Sequence, residues 1–288
     1  MPQRRIIYPH LSRLAHELLE KHNAALNVDE LCSSLGLSIP GAAALLPRLL
    51  DGRFRFLESQ VALWSWTLPF PPHGETIVVL DLEATNGDPI REDIIEVGAV
   101  KISAQGIEEF SSLVRTTRHI PPFVVKLTGI NQNMVLNARP VEEVLRDFKA
   151  FLGDATLIVQ NSGFDVALLT REFGKLQFKL SNPVVDTINL ALAALPGRRK
   201  RGLDALSKLF RVKLQERHRA LGDARVTLEI SKHLYYSLTH GRNMTIADLH
   251  HGLVKPSTTP VKPQSSKNQT NKNQSQIWRE KRPQRNSR

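Results

Sequence analysis

The chain has 288 residues, 41% of them hydrophobic, with a net charge of +11, which leaves room for one sizeable domain and a small one. There is no apolar run of membrane-spanning length. The N-terminus MPQRRIIYPHLSRLAHELLEKH lacks the core of a signal peptide, and its Glu17 and Glu20 argue against a transit peptide, so the expectation is a cytoplasmic protein with no membrane contact. Cys32 is the sole cysteine, which excludes an intrachain disulfide and a multi-cysteine metal site; its apolar helical context makes it core filler.

The N-terminal residues 1–68 read as three helices and a hairpin. HLSRLAHELLEKH places Leu11, Leu14, Leu18 and Leu19 at helical spacing, VDELCSSLGL follows with Asn27 as its cap, and IPGAAALLPRLLDG is the third, which Pro47 should kink or shorten. RFRFLESQVALWSW alternates around Glu58-Ser59-Gln60 as a hairpin does. This order suggests a small winged-helix-like domain, a fold that often reads DNA. Its third helix carries only Arg48 as a basic residue, so protein docking is the equal alternative. A Pro-rich linker, 69–75, leads on.

Residues 76–240 read as the main domain. The aliphatic run Ile77–Leu80 should still be a strand at Asp81 and Glu83, which therefore share one face. Two like charges beside a buried strand need a cation between them, and a divalent metal is the obvious one. A second strand is expected over 93–102 and a third over 110–117, then a helix over 141–152, a strand over 155–160, and helices over 164–173, 186–195, 203–210 and 220–236. That order predicts an α/β fold with a mixed sheet.

Two of those helices carry an acid on the inward face. Asp165 shares a face with Leu168, Leu169, Glu172 and Phe173, and Asp223 with Val226, Thr227, Ile230 and Leu234. Four converging carboxylates would be prohibitive without cations, and hard oxygen donors suit Mg2+ or Mn2+ rather than zinc. His218 is expected on the loop before the last helix, free to turn toward the acids and suited to take a proton near neutral pH.

These residues resemble the DnaQ-like DEDDh 3'-5' exonucleases related to the proofreading epsilon subunit of bacterial replicative DNA polymerase. The matching segments are Asp81-Leu-Glu83 with Ile94-Ile-Glu-Val-Gly-Ala-Val100, Leu127-Thr-Gly-Ile130, Asn161-Ser-Gly-Phe-Asp165, Asp186-Thr187, Gly202-Leu-Asp-Ala-Leu206 and His218-Arg-Ala-Leu-Gly-Asp223. The resemblance implies a ribonuclease-H-like mixed sheet flanked by helices, with Asp81, Glu83, Asp165 and Asp223 binding two Mg2+ or Mn2+ and His218 as general base. It further implies that Ala84, Thr85, Gly129, Ile130, Asn161 and Phe164 hold the terminal nucleotide. Gln160 and Ala84 depart from the residues common in relatives, histidine and threonine, which bears on substrate positioning and not on the metal ligands.

The expected activity is metal-dependent removal of nucleoside 5'-monophosphates from single-stranded or frayed DNA 3' ends, with a polymerase or another replication or repair protein as a partner. An RNA-trimming enzyme of the same family is one alternative, because these motifs do not specify the sugar. A nucleic-acid-binding regulator with a weak catalytic core is the other.

Residues 241–288 are expected to be a basic, mostly disordered tail. From Leu253 the chain carries nine Lys or Arg against one acid, Glu280, with little apolar content to order it. Such a tail points to polyanions, and Trp278 is a candidate to stack on a base or to anchor a partner.

Overall fold

The computed structural model describes residues 8–66, 70–213, 216–242 and 244–253. Trp278, the tail beyond Leu253 and part of the linker lie outside the described residues. Among those described, no helix is long and apolar enough to cross a membrane.

The N-terminal unit runs α1 (Pro9–His22), β1 (Leu26–Asn27), α2 (Val28–Ser34), α3 (Ala42–Leu49), β2 (Phe54–Leu57) and β3 (Gln60–Leu63). Asn27 caps α2 as expected, its side chain accepting from the Asp29 N–H at 2.8 Å. The strand β1 was not legible as such. Two residues carry no period, and pairing with Val61 and Gln60 of β3 makes them a strand. Leu19, Leu31, Leu46, Leu50 and Val61 fill the core of this unit. Pro47 sits inside α3 without ending it.

The main unit is built on a five-stranded sheet of order β6-β5-β4-β7-β8. β4 (Ile77–Ala84), β5 (Ile94–Ser103) and β6 (Gly106–Leu113) form the antiparallel meander, and β7 (Thr156–Val159) and β8 (Val184–Asp186) run parallel to β4. The third strand thus begins four residues before the expected 110. A tight turn after Ser103 pairs Ser103 with Gly106, and the exposed edge position tolerates Glu108 and Glu109, which hid the strand in the sequence.

The helices are α4 (Pro122–Thr128), α5 (Gln132–Leu136), α6 (Val141–Leu152), α7 (Gly163–Lys175), α8 (Thr187–Ala194), α9 (Leu203–Phe210), α10 (Ala220–Thr239) and α11 (Ile246–Leu253). The alternation of β4 divides the core. Val78, Leu80 and Leu82 pack with Phe148, Leu168 and Phe173 of α6 and α7, while Ile77 and Val79 pack with Leu190, Leu206 and Ile230 of α8, α9 and α10.

Helix α11 corrects the expected tail boundary of 241. Thr245 and Asp248 form a reciprocal cap, with Thr245 Oγ1 accepting from the Asp248 N–H at 3.0 Å and donating to Asp248 Oδ2 at 2.6 Å. Ile246 and Leu249 are buried in the α8–α10 core, so the fold continues to Leu253.

The N-terminal unit is seated on the far half of α10. A Cβ on Gly52 would lie 2.1 Å from the Ser237 carbonyl oxygen, so only glycine permits this approach. Arg53 is buried, donates to both oxygens of Asp51 and lies 3.2 Å from His233 Nδ1, and His233 stacks on Phe210 with centroids 4.8 Å apart. Arg211 pairs with Glu17 at 2.6 Å, and Phe70 of the linker packs on Tyr235 rather than spanning solvent.

Candidate active site

The acids collect at the C-terminal end of β4. Asp81 and Glu83 continue the face of Ile77 and Val79, which points toward α10; Asp81 is half-buried and Glu83 buried. Asp223 arrives on the first turn of α10. This is possible because α10 lies directly on β5 at Gly98, the partner of Asp81 in the ladder: a Cβ there would stand 2.1 Å from the Leu221 nitrogen. The glycine of the Ile94–Val100 segment is therefore what lets Asp223 approach β4.

Asp165 comes from the other side. β7 pairs with β4 only as far as Leu80↔Val159, and beyond that the Leu82 N–H donates to Asp165 Oδ1 at 2.9 Å. The first turn of α7 is thereby fixed to the backbone between Asp81 and Glu83. Its predicted face is borne out: Asp165, Leu168, Leu169, Glu172 and Phe173 are all buried.

His218 lies in the loop before α10, half-buried, with φ of 61°. One donor atom each from Glu83, His218 and Asp223 lie within 4.8 Å of one another. Two buried carboxylates and an imidazole at that spacing fit a divalent cation, and the carboxylate donors suit a hard one. Asp81 and Asp165 adjoin this group through β4.

Glu96, inside the Ile94–Val100 segment, supports the site from β5. It faces Glu83 in the β4–β5 ladder and is 1% exposed. Its carboxylate accepts from the Ala220 N–H at 2.9 Å, from Arg219 Nη2 at 2.6 Å and from Arg219 Nε at 3.1 Å. Arg219, the residue before α10, has no side-chain cap of its own, so Glu96 caps the helix from the sheet. These bonds hold Arg219 in its charged form and set the entry angle of the segment that joins His218 to Asp223. A buried acid inside an otherwise apolar strand was the available signal.

The expected nucleotide contacts are distributed unevenly. Asn161 is exposed, with φ of 59°, and its N–H donates to Asp186 Oδ1 at 3.1 Å; Phe164 is half-buried beside Asp165. Gly129, also at positive φ, ends α4 at the surface. Ala84 is buried. Thr85 is buried too, and its hydroxyl donates to Glu92 at 2.6 Å and accepts from the Asp93 N–H, closing the 86–92 loop. Ile130 is fully covered by Ile95, Ile120, Val124 and Val135, so its side chain is packing and not surface. Gln160 donates to the Arg201 carbonyl at 3.0 Å and accepts from Thr187, which commits it to the wall between β7 and α9.

Residues 78–231 match the family described as Exonuclease. The chain is 40% identical over 154 residues to the PolC-type DNA polymerase III of Caldanaerobacter subterraneus, covering 53% of this chain and 11% of that protein. The corresponding Bacillus subtilis protein is 35% identical over 156 residues, with the same coverage. The chain thus spans about a tenth of the length of these relatives. Among solved structures, E. coli Exonuclease I in complex with a dT13 oligonucleotide superposes with a TM-score of 0.50 at 14% identity, over 57% of this chain and 41% of that one. That likeness is one of fold, a mixed sheet flanked by helices as in ribonuclease H. The acids gathered on β4, α7 and α10 lie inside the matched segment, and the chain belongs to the exonuclease family.

Proposed function

We propose that the protein is a metal-dependent 3'-5' exonuclease that releases nucleoside 5'-monophosphates from DNA ends. The observation that carries the reading is the convergence of Glu83, His218 and Asp223 donors within 4.8 Å, with Asp81 and Asp165 tied to the same strand. Asp81, Glu83, Asp165 and Asp223 would hold two Mg2+ or Mn2+ ions, whose chemistry is to lower the pKa of water and to neutralise charge on a phosphoryl group.

The chain's own residues do the rest. His218 accepts the proton of the attacking water, a role suited to an imidazole at neutral pH. Exposed Asn161, just before α7, and Phe164 in its first turn would contact the terminal nucleotide, and Gly129 would offer backbone without side-chain bulk. Glu96 and Arg219 keep His218 and Asp223 in register.

The substrate and partner follow the relatives: Exonuclease I has been crystallised with a dT13 oligonucleotide, and the PolC-type matches are polymerases. We therefore favour DNA over RNA and a replicative or repair protein as partner, in the cytoplasm. The N-terminal unit has the helix and strand order of a winged helix, which supports the sequence expectation for residues 1–68.

The test is digestion of matched 3'-labelled and 5'-labelled DNA and RNA oligonucleotides, with Mg2+ and with chelator. Stepwise shortening of 5'-labelled DNA only with metal is expected. Shortening from the 5' end, or activity in chelator, would overturn the reading.

A further inference from the structure

We infer that Arg217 is a binding residue for a backbone phosphate of the substrate strand, and that the carboxylate of Asp204 occupies the phosphate's place in the free protein. The inference rests on the nuclease reading above and extends it to a residue that reading does not use.

The guanidinium of Arg217 has two working edges. Inward, Nη1 donates to Asp223 Oδ2. Outward, Nε and Nη2 approach Asp204 Oδ1 at 2.8 and 2.7 Å. The three side chains differ sharply in exposure: Asp223 is 6% exposed, Arg217 19% and Asp204 71%. The inner pair is held by burial. The outer pair sits at the rim, where water competes for both partners and ion pairs are weak. A backbone phosphodiester carries the same single charge but presents two oxygens to the Nε–Nη2 fork, where Asp204 meets both nitrogens with Oδ1 alone, and arginine binds phosphate in that bidentate geometry. It is therefore a better ligand for the outer edge than the group now there.

The surroundings favour an anion for reasons independent of Arg217. Between residues 187 and 215 the sequence has seven Lys or Arg, including the run Arg198-Arg199-Lys200-Arg201, and Asp204 is its single acid. Asp204 stands in the first turn of α9, and Gly202 before it provides no side-chain cap. An anion that displaces Asp204 remains at the positive end of that helix. Because Arg217 keeps its inner bond to Asp223, the captured phosphate lies next to the candidate metal site. A brace between α9 and α10 is the competing explanation, and the two differ in sign at Asp204.

The test measures binding of a fluorescent single-stranded oligothymidylate to the full chain by anisotropy, in chelator at low salt. Asp204→Asn is expected to tighten binding about two- to fivefold, the range of a weak surface ion pair. Arg217→Gln is expected to weaken it tenfold or more, as loss of charge-assisted bonds does. The double variant should match Arg217→Gln alone, because the competitor matters only while the arginine is present. Weaker or unchanged binding in Asp204→Asn overturns the inference. So does tightening that persists in the Arg217→Gln background, which would mark a general field effect. Asp204 is exposed, so its variant does not depend on how well Arg217→Gln folds. Hydrolysis of a nitrophenyl ester of thymidine monophosphate by the unaltered protein separates the two readings. Without it the nuclease assignment fails; with it and a flat Asp204 series, only this inference fails.

Discussion

Replacing Glu96 by Gln isolates positioning from metal ligation, because Glu96 is not among the four candidate ligands. The substitution keeps shape and one acceptor, enough for the Ala220 N–H, but removes the charge that Arg219 reaches through Nε and Nη2. Hydrogen bonds to a charged group contribute ~1.5–3 kcal/mol. The Arg219 side chain is 41% exposed and partly screened, so we take the lower end, about 1.5–2 kcal/mol. At ~2–4 °C per kcal/mol for a protein of this size, Tm should fall by roughly 3–8 °C. The rate should fall further than the stability suggests. Arg219 separates His218 from α10, and a shift of about 1 Å in a catalytic group costs on the order of 10²-fold. Denaturant midpoints and kcat on a single-stranded oligonucleotide at saturating metal are the measurements, with circular dichroism to show that the fold is kept. A kcat within twofold of the unaltered protein, despite the lowered midpoint, would refute the positioning argument and leave Glu96 as a helix cap alone.

His218→Ala should lower the hydrolytic rate by about 10² to 10⁴ while calorimetric Mn2+ titration still detects binding, whereas Asp81→Ala or Asp223→Ala should abolish turnover even in excess metal. His16 has its pKa lowered to about 4 by burial and then by the Arg53 charge. The unfolded chain therefore binds a proton that the folded one refuses, and stability should fall as pH drops from about 6.5 toward 4, by an amount on the order of 3 kcal/mol; urea midpoints across that range should lose part of their slope in His16→Asn, the rest coming from neighbouring His233, which burial also holds well below the usual imidazole range. Truncation after Leu253 should leave the denaturant midpoint unchanged but reduce the salt dependence of binding to long DNA. Truncation after His240 also removes buried Ile246 and Leu249, and should cost several kcal/mol at ~1.5–3 kcal/mol per side chain.

The candidate site was legible because its chemistry violates the local pattern. Asp81 and Glu83 interrupt an aliphatic strand, and Asp165 and Asp223 stand on helix faces that are otherwise Leu, Val, Ile and Phe; each proved half-buried or buried where that pattern put it. The elements that went unread owe their form to partners distant in sequence. β8 is three residues long and is a strand because β7 pairs with it. α4 and α5 are short, and their cover over Ile95 comes from Ile120, Val124, Ile130 and Val135 acting together. For the same reason the burial of Ile130 was not legible: its motif position was visible, and the cluster around its side chain was not. By contrast α11 was readable, since Thr245-Ile-Ala-Asp248 is a capping signature followed by Leu249 and Leu253 at helical spacing; the basic composition beyond it drew the boundary too early.

The seating of the N-terminal unit bears on what it can do. α10 is 20 residues long and carries Asp223 in its first turn, while Ser237, against which Gly52 packs, lies about 21 Å further along the axis at 1.5 Å per residue. A group held there cannot touch the nucleotide being cleaved. Buried Arg53, with Asp51, His233 and Phe210 around it, ties the unit to α9 and α10 through charge and stacking, so it is fixed relative to the acids. Under the proposed nuclease reading, the unit therefore bears on how a substrate end is presented and not on the bond that is cut.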